Sequence, residues 1–403
     1  MVNKKNIFGK VLSVLVILFI YNISYAQNNN EASKKYTAID TSPFFSSAHH
    51  WYDIHDDSNI IFQRAGHPKY EPNEIIKIAD NILLYQKNNG GWPKNYDMLA
   101  ILTDDQKDSL NKSKSILNTT FDNTTTYSQI EYLAKVYAET NIEKYKAASL
   151  HGIEFTLSAQ YPNGGWPQYF PLEEKDNYSR RITFNDNATI GIMIMLKDIL
   201  DQKPYYSFVG SALQDKVKIA YQQGISCILQ CQIKDNGRLT SWGQQHNEVD
   251  LSPAWARAFE PPSICNAEGA DVTFFLMSID NPSQEIINAI QGAVKWFEDS
   301  KIHGIRVQTV SAPEYTSKWK TTNFDRVVVQ DSTAPVIWTR YYELGTDRPL
   351  FCDRTSKYLY SLAEVSRERR SGYGWYTYSP QAVLDKYPDW LAKWAPGQNV
   401  LKK

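Results

Sequence analysis

Two short stretches of the chain set carboxylates beside amides in matching frames: Thr120-Phe121-Asp122-Asn123-Thr124-Thr125 and Thr183-Phe184-Asn185-Asp186-Asn187-Ala188-Thr189. A third, Glu268-Gly269-Ala270-Asp271, echoes them. One Asp-Asn ahead of a helix is an N-cap that accepts backbone N–H groups of the first turn. Two copies at equivalent places say more, because Asp122 and Asp186 then project from the same end of the molecule. Two or three hard oxygen ligands with open positions suit Ca2+, which keeps waters or takes substrate oxygens. No His or Cys cluster accompanies them, so a closed zinc site is not expected. Three arginines stand in distinctive settings: Arg257 within Pro253-Ala254-Trp255-Ala256-Arg257-Ala258-Phe259-Glu260, Arg340 within Trp338-Thr339-Arg340-Tyr341, and Arg354 within Phe351-Cys352-Asp353-Arg354. Guanidinium groups grip carboxylates with two prongs, so arginines beside a Ca2+ site point to an acidic ligand. The plain alternative for Arg257 is a surface ion pair with Glu260.

The elements that must position these residues repeat along the chain. Helix-like segments run into glycine-bearing loops at Gln86-Lys87-Asn88-Asn89-Gly90-Gly91-Trp92, at Gln160-Tyr161-Pro162-Asn163-Gly164-Gly165-Trp166 and at Gln232-Ile233-Lys234-Asp235-Asn236-Gly237, with weaker echoes at His303-Gly304 and Gly372-Tyr373-Gly374-Trp375. Gly91, Gly165, Gly237, Gly304 and Gly374 are spaced 74, 72, 67 and 70 residues apart. The loops follow apolar positions of helical period, such as Ile75, Ile78, Ile82 and Tyr85, or Ile219, Ile225, Ile228 and Leu229. Glycine after the last turn is the expected cap. Second helices are expected over 124–139, 188–200, 270–278 and 335–344. Helix pairs at this period point to an all-α protein, an α/α toroid or bundle, whose loop end collects the chemistry. The one strand candidate, Arg326 to Gln330, is too little for an α/β fold.

Charge and composition exclude several classes. The 403 residues carry 43 Lys+Arg against 44 Asp+Glu, which gives no electrostatic basis for nucleic-acid binding, and the chain is long enough for a large core. Aromatic residues reach 13%, including Trp92, Trp166 and Trp242 in the repeat loops, where they can stack on sugar faces or pack helices. Residues 1–26 read as a signal peptide: Lys4, Lys5 and Lys10, an apolar run from Val11 to Ile20, then Ser24-Tyr25-Ala26. Cleavage leaves 403 − 26 = 377 residues of a secreted or periplasmic protein with no later membrane span. Residues 27–50 read as a polar leader and 51–403 as one domain, monomeric by default. The four cysteines are expected as buried thiols, Cys227 and Cys231 sharing a helix.

With these motifs in order, together with Gly91-Trp92-Pro93-Lys94 and Arg181-Ile182-Thr183-Phe184-Asn185-Asp186, the chain resembles the pectate lyases of polysaccharide lyase family 10 over roughly Ile75 to Tyr376. The resemblance implies an α/α toroid of three helix pairs, an incomplete barrel with additional helices and a few short strands. It also implies Ca2+-assisted β-elimination on polygalacturonate, giving 4,5-unsaturated products. By position it makes Asp122 and Asp186 the metal carboxylates and Arg257 the base that removes the C5 proton. Lys94, Asn123, Arg340 and Arg354 become contacts to the galacturonate chain; Trp242 is added as a substrate contact from its place in the third loop, not from the resemblance. Neighbouring cations should then disfavour the charged form of Arg257, with activity rising into alkaline pH. Two readings compete: a glycoside hydrolase using Asp122 and Asp186 as acid and base without a metal, and a non-catalytic protein that binds acidic polysaccharide.

Overall fold

The computed structural model describes residues 36–402 apart from Ala65, so the signal-peptide expectation lies outside the described residues. Eleven α-helices are present among them: α1 (Phe45–Asp53), α2 (Ile75–Tyr85), α3 (Asp104–Lys112), α4 (Tyr127–Thr140), α5 (Glu143–Ser158), α6 (Ala188–Leu200), α7 (Ser211–Cys231), α8 (Ala267–Met277), α9 (Gln284–Asp299), α10 (Arg367–Gly372) and α11 (Ser379–Trp394). The helices form two rows. Helices α4, α6 and α8 pack side by side as one row, while α5, α7 and α9 pack against one another behind them; α2 adds to the start and α11 to the end. The rows do not close into a barrel. No described helix is long and apolar enough to cross a membrane.

The periodicity that marks α2 is the buried face itself: Ile75, Ile78, Ile82 and Tyr85 are all sealed in the core. Three hydrogen-bond devices then recur in each repeat and explain the loop sequences. The Gln86 amide donates to Gly90 O at 2.9 Å and Ala148 O at 3.0 Å; Gln160 does the same to Gly164 O and Ala220 O, and Gln232 to Thr240 O and Ala289 O. Each glutamine thus ties its own loop to the next helix of the rear row. The indole N–H groups of Trp92, Trp166, Trp242 and Trp338 donate to Ile82 O, Thr156 O, Ile228 O and Phe297 O, each a carbonyl in the last turn of the preceding helix. The backbone carbonyls of Trp92, Trp166 and Trp242 accept from Thr120, Thr183 and Cys265 N–H, which draws the start of each front helix back to the loop. Glycine is required at Gly164: its φ is +92°, and a Cβ there would sit 2.1 Å from Gln223 O.

Short antiparallel pairings stitch the loops of successive repeats together at this end. Ile182–Thr183 pairs with Gln245–His246, Trp242 bridges to Cys265, and Ile264–Cys265 pairs with Tyr341–Tyr342. His246 is fully buried and organises the loop before Arg257: Nε2 accepts from Gly243 N at 3.0 Å while Nδ1 faces Leu251 O at 2.8 Å. Burial pushes the imidazole down to about 4, so it is neutral and carries its proton on Nδ1.

Two expectations need correction, and the strand candidate is borne out and extended. The stretch 335–344 is not a helix; Trp338–Thr339 pairs with Tyr376–Thr377 and Tyr341–Tyr342 with Pro349–Leu350. Its β-branched and aromatic residues suit a pleated strand. Arg326 to Gln330 belongs to a long strand, Thr321–Gln330, that forms a hairpin with Ile305–Thr316. The domain also begins before residue 51, since Phe44 and Trp51 are buried in the core and α1 starts at Phe45. The four cysteines are free and buried, as expected; Cys227 and Cys231 lie with their sulfurs 4.0 Å apart.

Candidate active site

The two Asp-Asn stretches form matching turns at the starts of α4 and α6. Asn123 and Thr124 take φ values of 51° and 61°, and Asp186 and Asn187 take 50° and 58°. Asn and Asp tolerate this left-handed region through local hydrogen bonds, which is why the motifs are amide-rich. Thr126 Oγ1 donates to Thr120 O and Thr189 Oγ1 to Thr183 O, both at 2.7 Å, closing the turns in the same way. The backbone match aligns Asp122 with Asn185 and Asn123 with Asp186. The two carboxylates therefore come from adjacent positions of the repeat and meet across the seam between the two turns.

Asp122 is almost sealed from solvent, whereas Asp186 keeps an open surface while protein encloses its other sides. Their charges act strongly on one another. Burial would raise Asp122, but the Lys94 ammonium bonded to its Oδ2, with Gln168 and Asp186, holds it below the usual range. Burial and the Asp122 charge push Asp186 up to about 7. Asp122 Oδ1 and Gln168 Oε1 are buried without a partner. Two facing carboxylates with unsatisfied hard oxygens fit Ca2+. Among the described residues, no group of three or more His, Cys, Asp or Glu surrounds a common metal position.

The expected cations are each paired with a buried carboxylate, the one at Arg354 being shared with Arg369. Lys94 pairs with Asp122, Arg257 with Glu260, Arg340 with Glu268 and Arg354 with Glu368. Arg340 is held from both sides of its backbone, donating from N to Trp375 O at 2.7 Å and accepting at O from Asn266 N at 3.1 Å. Its guanidinium donates to Glu268 and to Asn185 Oδ1 at 2.9 Å, and the Asn185 amide donates on to Asp186 Oδ2. Arg340 also lies 4.9 Å from the Tyr373 ring centre. The Tyr373 hydroxyl donates to Glu260 Oε1 at 2.8 Å. Glu260 in turn grips Arg257 through Nε at 2.8 Å and through Nη2. One connected network thus runs from Asp186 through Arg340 and Tyr373 to Arg257. Arg354 belongs to the same region, because Arg257 and Arg354 lie 4.8 and 5.2 Å from the centre of one Phe259 ring.

Other expectations fare differently. Burial alone would lower Arg257, yet Glu260 outweighs it and raises the guanidinium above its ordinary value. No neighbouring cation is among the main influences on its charge, which are burial, Glu260, Tyr373 and Tyr178. Trp242 is fully buried, its indole committed to Ile228 O, so it has no face for a sugar; Trp92 and Trp166 are sealed likewise. Asn123 is also buried and donates to Asn95 Oδ1 at 2.9 Å. Arg354 stands in a turn between Pro349–Cys352 and Tyr358–Leu359, with no fourth helix pair around it. Sequence alone does not single out Glu260, Glu268, Glu368, Gln168 and Tyr373 as site residues. Glu260 carries a signal as the nearest acid to Arg257, and Glu268 carries one as the head of the third echo motif.

Comparisons with known proteins point to one family. A family model described as pectic acid lyase matches residues 86–384. Among solved structures, a family 10 polysaccharide lyase from Cellvibrio cellulosa is 29% identical with a TM-score of 0.64, covering 82% of this chain and 99% of that one. An aspartate-to-alanine mutant of a family 10 polysaccharide lyase from the same organism, in complex with trigalacturonic acid, is 30% identical with a TM-score of 0.64, covering 77% of this chain and 92% of that one. No curated protein matches the chain.

Proposed function

The chain belongs to the pectic acid lyase family, and from that premise we propose that it is a pectate lyase cleaving polygalacturonate by β-elimination, with Ca2+ as cofactor and Arg257 as base. The observation that carries this reading is the Asp122–Asp186 pair with Lys94, Arg340 and Arg257 joined to it in one connected network. We read the two helix rows as an incomplete α/α toroid and, from the N-terminal residues, the enzyme as exported.

Asp122 and Asp186 would hold Ca2+, which would supply a Lewis acid for a substrate carboxylate. Lys94 and Arg340 offer further positive charge to uronate groups, worth most where negative charge builds up as the C5 proton leaves. Glu260 occupies Nε and Nη2 of Arg257, and Nη1 carries no hydrogen bond among the described residues. That edge is the one to receive the proton. The electrons of the C5–H bond form the C4–C5 double bond, the C4–O bond breaks, and the leaving oxygen takes a proton from water. Glu260 aims the guanidinium but also favours its charged form, so the neutral fraction grows only as pH rises. Activity should therefore climb into the alkaline range.

The test is incubation with polygalacturonate while following the ultraviolet absorbance of a conjugated unsaturated uronide. The reading expects a rise that chelator abolishes and Ca2+ restores, and that Arg257→Ala lacks. Chain cleavage indifferent to chelator and without absorbance would support a hydrolase instead; binding without cleavage would support a carrier of acidic polysaccharide.

A further inference from the structure

The hairpin Ile305–Thr316 / Thr321–Gln330 is absent from the repeat pattern and plays no part in the chemistry above. It is held firmly. Arg370 grips Asp325 through Nε at 2.9 Å and Nη2 at 2.6 Å, Arg367 donates to Phe324 O and Thr322 O, and Arg326 donates to the backbone carbonyl of Tyr373. The arm is thus pinned both to α10 and to the residue that bridges Arg340 and Glu260. Its tip is ordered as well: Ser317 Oγ accepts from Trp319 N at 3.1 Å and Lys320 N at 3.0 Å, and Ser317 N donates to Lys320 O.

That tip carries Lys318-Trp319-Lys320, all exposed, with Trp319 56% open to solvent. An indole that exposed on a rigid arm is a poor choice for packing, and its surroundings are those of a binding platform. The Arg354 guanidinium lies 4.1 Å from the Trp319 ring centre. Arg354 is itself fixed, donating through Nε and Nη2 to Glu368, while its Nη1 has no hydrogen bond among the described residues. Its other neighbour is the Phe259 ring, which also touches Arg257. Cations and aromatic rings therefore alternate from the proposed base outward: Arg257, Phe259, Arg354, Trp319. Lys318 Nζ approaches the same indole at 4.5 Å, on an exposed and flexible chain that can swing aside for a ligand.

We propose that Trp319, with Arg354 and the flanking Lys318 and Lys320, forms an outlying subsite for one acidic-sugar ring of the polymer. The pyranose face packs on the indole and its carboxylate is taken by Arg354 Nη1 and the tip lysines. The hairpin thereby extends the cleft and favours long chains over short ones. This inference rests on the pectate-lyase reading for the identity of the sugar, but its test has a readout independent of cleavage.

The readout is retardation of the full chain in native gels containing polygalacturonate, with chelator present, for wild type, Trp319→Ala and Trp319→Phe. The wild type is expected to be retarded, with apparent affinity weakened about tenfold in Trp319→Ala and largely restored in Trp319→Phe. In turnover, the KM increase in Trp319→Ala is expected to be larger on the polymer than on trigalacturonate. Equal retardation of wild type and Trp319→Ala, or no retardation of the wild type, overturns the subsite. A wild type that is retarded but makes no unsaturated product overturns the lyase reading instead, and the retardation comparison still decides the subsite.

Discussion

Replacing Glu260 by glutamine separates what this residue gives Arg257 from what it costs. Gln keeps one acceptor, which can serve Arg257 N and Nε as Oε2 does at 3.0 and 2.8 Å, and places an NH2 where Oε1 stood, so the Tyr373 hydroxyl must turn to accept and Arg257 Nη2 loses its partner. The negative charge disappears as well. A unit charge about 4 Å away is worth about 4 kcal/mol at an effective dielectric constant near 20. The Arg257 side chain is 48% exposed, so solvent screens much of that, and about 1–2 kcal/mol remains. One pKa unit corresponds to about 1.4 kcal/mol, which makes the expected drop in the Arg257 pKa about one unit. The sign follows from the carboxylate's role: Glu260 stabilises the protonated guanidinium, and its neutralisation favours loss of the proton. The acidic limb of log kcat/KM against pH should therefore move down by about one unit on polygalacturonate at saturating Ca2+, followed by the unsaturated-product absorbance. A thermal melt at each pH confirms that the variant is folded. A folded Glu260→Gln enzyme whose limb stays in place, or moves to higher pH, would refute the assignment of Arg257 as base.

Three further outcomes follow from the same geometry. Trp242→Phe should lower stability by about 1–3 kcal/mol by stranding Ile228 O, with KM for polygalacturonate unchanged because the ring faces no ligand; a melting curve and a KM measurement check it. Arg340→Ala leaves Glu268, which is 5% exposed, as an unpaired buried charge, and should cost about 3–5 kcal/mol in denaturant unfolding; Glu268→Gln in the same background should recover part of that loss. The Asp186 carboxyl, raised to about 7 by burial and Asp122, must release its proton to take a cation. Calorimetric Ca2+ affinity should therefore rise between about pH 6 and about pH 8, and Asp122→Asn, which removes one ligand charge, should weaken binding at every pH.

The sequence made the repeats and half of the site legible, for physical reasons visible in single residues. Ile75, Ile78 and Ile82 announce α2 because a helix packed on one face must repeat its apolar residues at helical spacing. Asp122 and Asp186 stand out because the left-handed turns that carry them need Asn and Asp. The stretch 335–344 defeated the same logic: a short strand between two partners is apolar on both sides and has no helical period to miss. Trp242 was misplaced because a loop tryptophan can point to solvent or cap a helix end, and only the Ile228 carbonyl decides. The carboxylates that neutralise the cations were hidden for another reason. Glu268 is 72 residues from Arg340, and Glu368 is 14 from Arg354, so nothing local connects them.

The central claim is that the glycosidic bond breaks by elimination, and the origin of the product's atoms tests it most directly. Polygalacturonate should be digested in water enriched in heavy oxygen, with Ca2+ present, and the oligomers weighed by mass spectrometry at early times. Elimination predicts non-reducing ends lighter by one water than ordinary galacturonate oligomers, with no solvent oxygen incorporated by the cleavage itself. Products of full hydrolytic mass carrying one heavy oxygen per cut would contradict it.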